Sequence, residues 1–220
     1  TPPVTDLVQL PNHTTARTLV TNDKLRAAVA PLIASPIEFF KVPVGDGVTL
    51  DGWMLRPRDF DPSRKYPVFV YVYGEPAAQT VTDRWGGTNI LWHRFIADQG
   101  YIVLSVDNQG TPAPKGRHWR KLIYGAIGPL ASKQQAAAVR ELERTRPYLD
   151  PTRVAIHGHS GGGSQTLNAL FRYPDVYQLG EAFSSVPDQR FYDPIYEERY
   201  VGRPQDHPEN YEVSSPINFA

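Results

Sequence analysis

Arg153-Val154-Ala155-Ile156-His157 runs into Gly158-His159-Ser160-Gly161-Gly162-Gly163, and the rest of the chain is read outward from this stretch. The first five residues have the apolar density of a short buried strand. The next five match G-x-S-x-G, and a helix-like segment from Gly161 to Tyr173 follows. Strand, tight turn and helix form the context in which that motif marks an activated serine. A turn so sharp strains the serine backbone, and Gly158 and Gly162 have no side chain to clash within it. The Ser160 hydroxyl then projects above the sheet edge. The N–H of Gly161 falls at a helix N-terminus, where the dipole favours an oxyanion. The bland alternative is a glycine-rich helix start with an N-cap serine. The strand before the motif and the helix after it favour the nucleophile.

Upstream, the pattern alternates between strand and helix. Val48 to Leu55 is strand-like, Asp61-Pro62-Ser63 is a turn, and Pro67 to Tyr73 is a β-branched and aromatic run suited to a strand buried on both faces. Ile90 to Gln99 reads as a helix with Asn89 as N-cap and Gly100 as its end. Tyr101 to Val106 is a second buried strand, followed by a Gly-, Pro- and Lys-containing loop from Asp107 to about Gly116. A long helix over Ala131 to Arg146 is closed by Pro147, and Leu179 to Val186 is a fourth strand. This alternation predicts a doubly wound, mostly parallel α/β sheet, with its ligand site beyond the carboxyl ends of the strands. Together with the serine turn it predicts an α/β-hydrolase fold.

Residues 1–47 read differently. Val4 to Leu10 and Ala16 to Val20 suggest short strands, and Asn22 suggests the cap of a helix reaching about Ala30. They are expected to form a lead-in or a piece of a neighbouring domain, and residues 48–220 the N-terminal part of a catalytic domain.

Composition narrows the chemistry. The 220 residues are enough for one domain with a real core. Twenty-three basic residues balance 23 acidic ones, so nothing points to nucleic acid or a charged membrane surface. The absence of cysteine excludes disulfides, thiol catalysis and thiolate metal sites. No stretch has the ~18 apolar residues of a membrane helix. No metal is expected: His157 and His159 have the spacing of a strand pair, but no third ligand lies nearby in sequence. His157 is expected to pack in its strand. His159 is expected to pack or to border a pocket, since a triad base comes from a later loop. No cofactor is called for.

Several blocks, taken together, resemble the prolyl oligopeptidase family of serine peptidases, in particular its dipeptidyl-peptidase-IV-like branch. They are Phe60-Asp61-Pro62-Ser63-Arg64-Lys65-Tyr66-Pro67, Val72-Tyr73-Gly74-Glu75-Pro76, the serine turn, and Tyr192-Asp193-Pro194-Ile195-Tyr196-Glu197-Glu198-Arg199-Tyr200. The resemblance implies that the Tyr73 hydroxyl donates to the oxyanion. It also implies that Tyr192, Tyr196 and Val186 line the pocket for the residue before the scissile bond. An apolar, aromatic pocket suits a proline ring. The resemblance further implies an N-terminal β-propeller, with residues 1–47 as its exit, and a periplasmic or secreted location, the cytoplasm being the alternative. It admits a homodimer. The sequence departs from the branch at four places. Gly161 stands for a tyrosine and is expected to widen the pocket. Gln189 stands for a tryptophan, Asn108-Gln109-Gly110 lacks a usual arginine, and Glu75 replaces a small residue.

The triad of such a site is completed in the order serine, acid, histidine, each on a loop after its own strand. After Ser160 the sequence offers Asp188, Asp193, Asp206 and His207, with no further sheet strand between them to carry a triad. The chain is therefore expected to stop before the Asp- and His-bearing strands, and Thr1-Pro2-Pro3 reads as a cut end. Three functions remain open. The first is a serine peptidase that cleaves short peptides from a free N-terminus, after proline or a small residue. The second is an esterase or acyl-peptide hydrolase on the same fold. The third is a non-catalytic binding protein that kept the turn.

Overall fold

The computed structural model describes residues 1–33 and 35–220. In chain order its elements are strands β1 (Thr5–Gln9) and β2 (Thr14–Val20), helix α1 (Asp23–Val29), strands β3 (Glu38–Pro43), β4 (Thr49–Leu55) and β5 (Tyr66–Tyr71), helix α2 (Gly87–Asp98), strand β6 (Ile102–Asp107), helices α3 (Gly116–Lys121) and α4 (Pro129–Thr145), strand β7 (Leu149–His159), helix α5 (Gly161–Arg172), strand β8 (Leu179–Phe183), and helices α6 (Pro194–Tyr200) and α7 (Pro208–Ser214). Short 3₁₀ turns at Gln189–Phe191 and Pro216–Phe219 flank the last two helices.

Six strands form one sheet in the order β3-β4-β6-β5-β7-β8. The β3–β4 and β4–β6 pairs are antiparallel; β6, β5, β7 and β8 run parallel. The expected doubly wound α/β architecture is therefore present, with the serine turn at the carboxyl end of β7.

The period-two geometry of a strand explains the two layers. Val68 and Val70 in β5, with Val72 just beyond it, share one core with Leu104 and Val106 of β6, Val154 and Ile156 of β7, and Ala136, Val139 and Leu142 of α4. Phe69 and Tyr71 point the other way, toward Val103, Trp53 and the Ala97 and Ile96 of α2. A strand with both faces covered carries no polar alternation, which is why Pro67 to Tyr73 reads as one apolar run. Burying each large aliphatic side chain contributes about 1.5–3 kcal/mol, so this double layer holds the site rigidly.

Four details differ from the sequence reading. Glu38–Pro43, placed there in the lead-in, is the edge strand β3 and pairs along its whole length with β4. Its faces carry charge, and Phe39 stays exposed, so the apolar pattern is weak. Helix α2 starts three residues, less than one turn, before Ile90: Gly86 is its N-cap and Asn89 sits inside the first turn. Asn22 makes no side-chain cap on α1 and adopts a left-handed conformation; its amide donates instead to the Pro3 carbonyl at 2.9 Å. Helix α3 falls where the sequence reads simply as loop ending, because Trp119 is its only buried residue. The two strands expected near the N-terminus are present as a separate antiparallel hairpin, β1–β2, outside the main sheet.

Candidate active site

Ser160 has φ 57° and ψ −120°, a conformation that L side chains rarely adopt and that costs of order 1–3 kcal/mol. Three contacts hold it there. The Ser160 N–H donates to the Phe183 carbonyl at the end of β8, at 2.9 Å. The Ser160 carbonyl accepts the Ser164 N–H at 3.0 Å, which starts α5. The turn closes so tightly that a Cβ on Gly158 would lie 2.3 Å from the Gly162 carbonyl carbon, and one on Gly162 would lie 2.3 Å from the Val72 carbonyl oxygen. The two glycines of the motif are thus required by backbone on both sides. The expected strained serine between strand and helix is what the geometry shows.

The first N–H groups of a helix have no intrahelical carbonyl to pair with. That of Gly161 is the first of α5, next to Ser160. Tyr73 follows β5 on the neighbouring strand end and lies against Ser160. Burial pushes its phenol ionisation above the ordinary value, the Glu75 carboxylate adds to that, and the Ser160 hydroxyl opposes it. Tyr73 therefore stays protonated at neutral pH and keeps a hydrogen to donate.

A cavity of about 140 Å³ opens beside these groups. Its lining includes Tyr73, Ser160, Gly161, Val186, Tyr192 and Tyr196, so the structure brings together every site residue expected from sequence. Val186 is fixed by its N–H, which donates to Ser164 Oγ at 2.9 Å. The tyrosines are set by α6. Asp193 is its N-cap, accepting from the Ile195 N–H at 2.8 Å, and Pro194 occupies the first turn. Tyr192 and Tyr196 then meet edge to face, with ring centroids 5.7 Å apart, and Tyr196 meets Tyr200 at 4.9 Å.

Gly161 does not widen this cavity. A Cβ on Gly161 would lie 2.4 Å from Glu75 Oε2, so the Glu75 carboxyl fills the space that the missing side chain leaves. Glu75 is 4% exposed and accepts the Tyr196 hydroxyl at 2.9 Å. Burial pushes its pKa up to about 7, against that hydrogen bond. Gln189, in the place of an expected tryptophan, is buried beside it; its N–H donates to Ser215 Oγ at 3.0 Å.

Sequence reasoning gave no site role to three lining residues, Ala77, Ser164 and Glu197. Glu197 is 2% exposed, and among the described residues neither of its carboxyl oxygens has a hydrogen-bond partner. Burial pushes its pKa up to about 8, with Glu75 and Asp193 adding to the effect. In a run of charged and aromatic residues a glutamate reads as solvent-facing, and nothing in the periodicity of so short a helix says otherwise.

The histidines lie elsewhere, as expected. His157 stacks on Phe69, with Nδ1 3.0 Å from Glu181 Oε2. His159 is exposed and packs against Phe183. Among the acidic residues after the serine, Asp188 pairs with Arg190, Asp193 caps α6, and Asp206 pairs with Arg203. His207 is exposed, 3.6 Å from Glu209. Among the described residues no hydrogen bond joins a histidine to Ser160.

A serine held in this way at the strand-to-helix turn of a mostly parallel sheet is the arrangement of the α/β-hydrolase fold. More narrowly, the chain belongs to the prolyl oligopeptidase family, whose model matches residues 89–220. It is 39% identical over 209 residues to a probable dipeptidyl-aminopeptidase B of Emericella nidulans, covering 94% of this chain and 22% of that protein. A similar protein of the same description from Aspergillus clavatus is 37% identical over 199 residues, 86% of this chain and 21% of its own. Among solved structures, Porphyromonas gingivalis dipeptidyl peptidase 4 superposes with a TM-score of 0.91 at 36% identity, covering 98% of this chain and 30% of that one. A putative dipeptidyl aminopeptidase IV from Bacteroides ovatus gives 0.85 at 31% identity, with the same shares covered. The chain thus spans about a fifth of the length of these curated relatives.

Proposed function

We propose that these 220 residues are the nucleophile-bearing part of a serine peptidase that removes dipeptides from the free N-terminus of peptides. The observation that carries this is the strained Ser160, set among Tyr73, Gly161 and the tyrosine-lined cavity, in a chain so similar to dipeptidyl peptidases. In this reading Ser160 Oγ attacks the scissile carbonyl carbon and its proton passes to a histidine base. The Tyr73 hydroxyl and the Gly161 N–H stabilise the oxyanion. The intermediate expels the amine of the shortened peptide, which takes the proton, and water then releases the dipeptide from Ser160. Tyr192, Tyr196 and Val186 seat the side chain before the scissile bond.

The acid, the base and the groups that hold the substrate's amine come from residues outside this sequence, in the rest of the catalytic domain and a β-propeller. The share of the relatives covered supports this. Among the described residues no helix is long and apolar enough to cross a membrane. A periplasmic or secreted site of action, and a homodimer, fit the same reading.

A serine-directed fluorophosphonate, Xaa-Pro and Xaa-Ala nitroanilides, and short acyl esters test it on the full-length protein. Labelling of Ser160, with cleavage of the nitroanilides above the esters, is expected. Hydrolysis of esters alone would assign an esterase or acyl-peptide hydrolase, and no labelling of Ser160 would leave a binding protein.

A further inference from the structure

Behind one wall of the nucleophile cavity lies a second, larger cavity of about 550 Å³. Arg117, Arg120 and Lys121 of α3 and Arg199 of α6 line it, together with Tyr124 and Tyr200, and no aspartate or glutamate does. All four cations are exposed. Among the described residues none of them forms an ion pair. Arginines elsewhere in the chain do find carboxylates: Arg58 meets Asp98, Arg146 meets Glu38, and Arg190 meets Asp188 and Glu212.

The local structure fixes these charges in place. Trp119 is the buried residue of α3, and Arg117, Arg120 and Lys121 share another face at i, i+3 and i+4. The Gly110 N–H donates to the Trp119 carbonyl at 3.0 Å, and the Gly125 N–H, just after α3, donates to the Tyr200 carbonyl at 2.7 Å. Like charges spaced in this way oppose a helix unless an anion sits among them. A cleft lined by one sign of charge also concentrates ligands of the other sign. The two cavities share walls. Pro76 borders this one, while Glu75 and Ala77 on either side of it border the other. On α6, Tyr200 faces this cavity and Tyr196 the other, with the two rings edge to face at 4.9 Å.

We propose that this basic cavity is a subsite for a substrate carboxylate, an aspartate or glutamate side chain carried close to the scissile bond. This rests on the peptidase reading above and adds a charge preference to it. The planar guanidinium groups of Arg117, Arg120 and Arg199 suit a carboxylate, which each can hold through two parallel hydrogen bonds. The volume lies in the range of pockets that enclose small ligands and leaves ample room for a glutamate side chain.

Isosteric pairs test this on the full-length protein, with the faster of alanine and proline before the scissile bond. In one arm the N-terminal residue of a dipeptidyl nitroanilide is aspartate against asparagine, or glutamate against glutamine. In the other arm the same exchanges are made after the scissile bond of a longer peptide, and the released dipeptide is followed by mass spectrometry. In at least one arm the acidic peptide is expected to have a kcat/KM about tenfold higher at low salt, the lower end of what such a cleft provides. That ratio should shrink between about 0.01 M and about 1 M salt, as the Debye length falls from ~30 to ~3 Å. It should approach one when Arg117→Gln, Arg120→Gln and Lys121→Gln are combined, and fall in Arg199→Gln, which serves if the triple variant does not fold. The arm that responds locates the acidic residue before or after the cleaved bond. Equal cleavage of acidic and amide peptides in both arms overturns the proposal and leaves the peptidase reading intact, and so does an acidic preference that the variants do not change. No cleavage of any peptide, while fluorophosphonate still labels Ser160, overturns both.

Discussion

At the scale of single residues, the serine turn is enforced by backbone crowding. Gly162 sits where a methyl group would meet the Val72 carbonyl oxygen at 2.3 Å, and neither partner is a flexible side chain. Gly162→Ala should therefore cost about 2–4 kcal/mol of stability, read as a lower midpoint in urea unfolding. Tyr73→Phe keeps the ring and removes the donor. It should lower kcat by about 10²–10³ with KM nearly unchanged, since the lost bond forms mainly in the transition state. Glu75 makes stability depend on pH. Its folded pKa of about 7 lies above the ordinary 4.5, so between those values the folded state binds more protons than the unfolded one. Stability should fall as pH rises through that window, by up to about 3 kcal/mol from this group. Thermal melts from pH 4.5 to 8 check this, and Glu75→Gln should make the fall shallower, leaving the share that Glu197, with its pKa of about 8, adds over the same range. The glycine pair and the serine were legible from the motif alone. The fit between Gly161 and Glu75 was not, because it joins two loops distant in sequence and only the fold brings them together.

Among the elements, α6 shows how local rules place a site. Its cap, its first-turn proline and the i, i+4 spacing of its tyrosines all agree, and the whole device is one contiguous block of sequence. Asp193→Ala should remove the cap, cost about 1 kcal/mol and raise KM for dipeptide substrates more than it lowers kcat, because the helix carries pocket wall and no reacting group. Steady-state kinetics would show the split. The strands β5 and β6 were legible because both of their faces are buried, which leaves continuous Val, Ile and Leu runs. Strand β3 was not: an edge strand with Glu38 and Lys41 on it carries no such run, and its place is set by pairing with β4. Asn89 misled as a cap because residues of cap type also occur within first turns, and Gly86 with its following glycine starts α2 without a side-chain bond.

For the whole molecule, the apolar surface is uneven. The β1–β2 hairpin is exposed throughout, with Leu7, Leu10, Leu19 and Val20 all open, and among the described residues β8 pairs only with β7. Leu179 and Phe183 on β8 are 60% and 59% exposed. An open strand edge with apolar side chains invites pairing with another chain. The 220-residue chain expressed alone should therefore associate without a fixed stoichiometry, seen as a mass that climbs with concentration in light scattering, whereas the full-length protein should hold one discrete mass. The α/β class and the position of the site were readable because they depend on short motifs; the exposed faces were not, since only the packed structure shows which apolar residues lack a neighbour. One bond in the turn carries a further consequence. The Ser160 N–H is tied to the Phe183 carbonyl, and three residues later Val186 is tied to Ser164. The segment that shapes the pocket is thus clamped to Ser160 and to the helix that follows it, one bond to each. A loop transplanted from a relative to alter selectivity would bring its own backbone path to both clamps, so turnover and preference would shift together. Point changes beyond Val186, at Gln189 or on α6, are the places where selectivity can be redesigned independently.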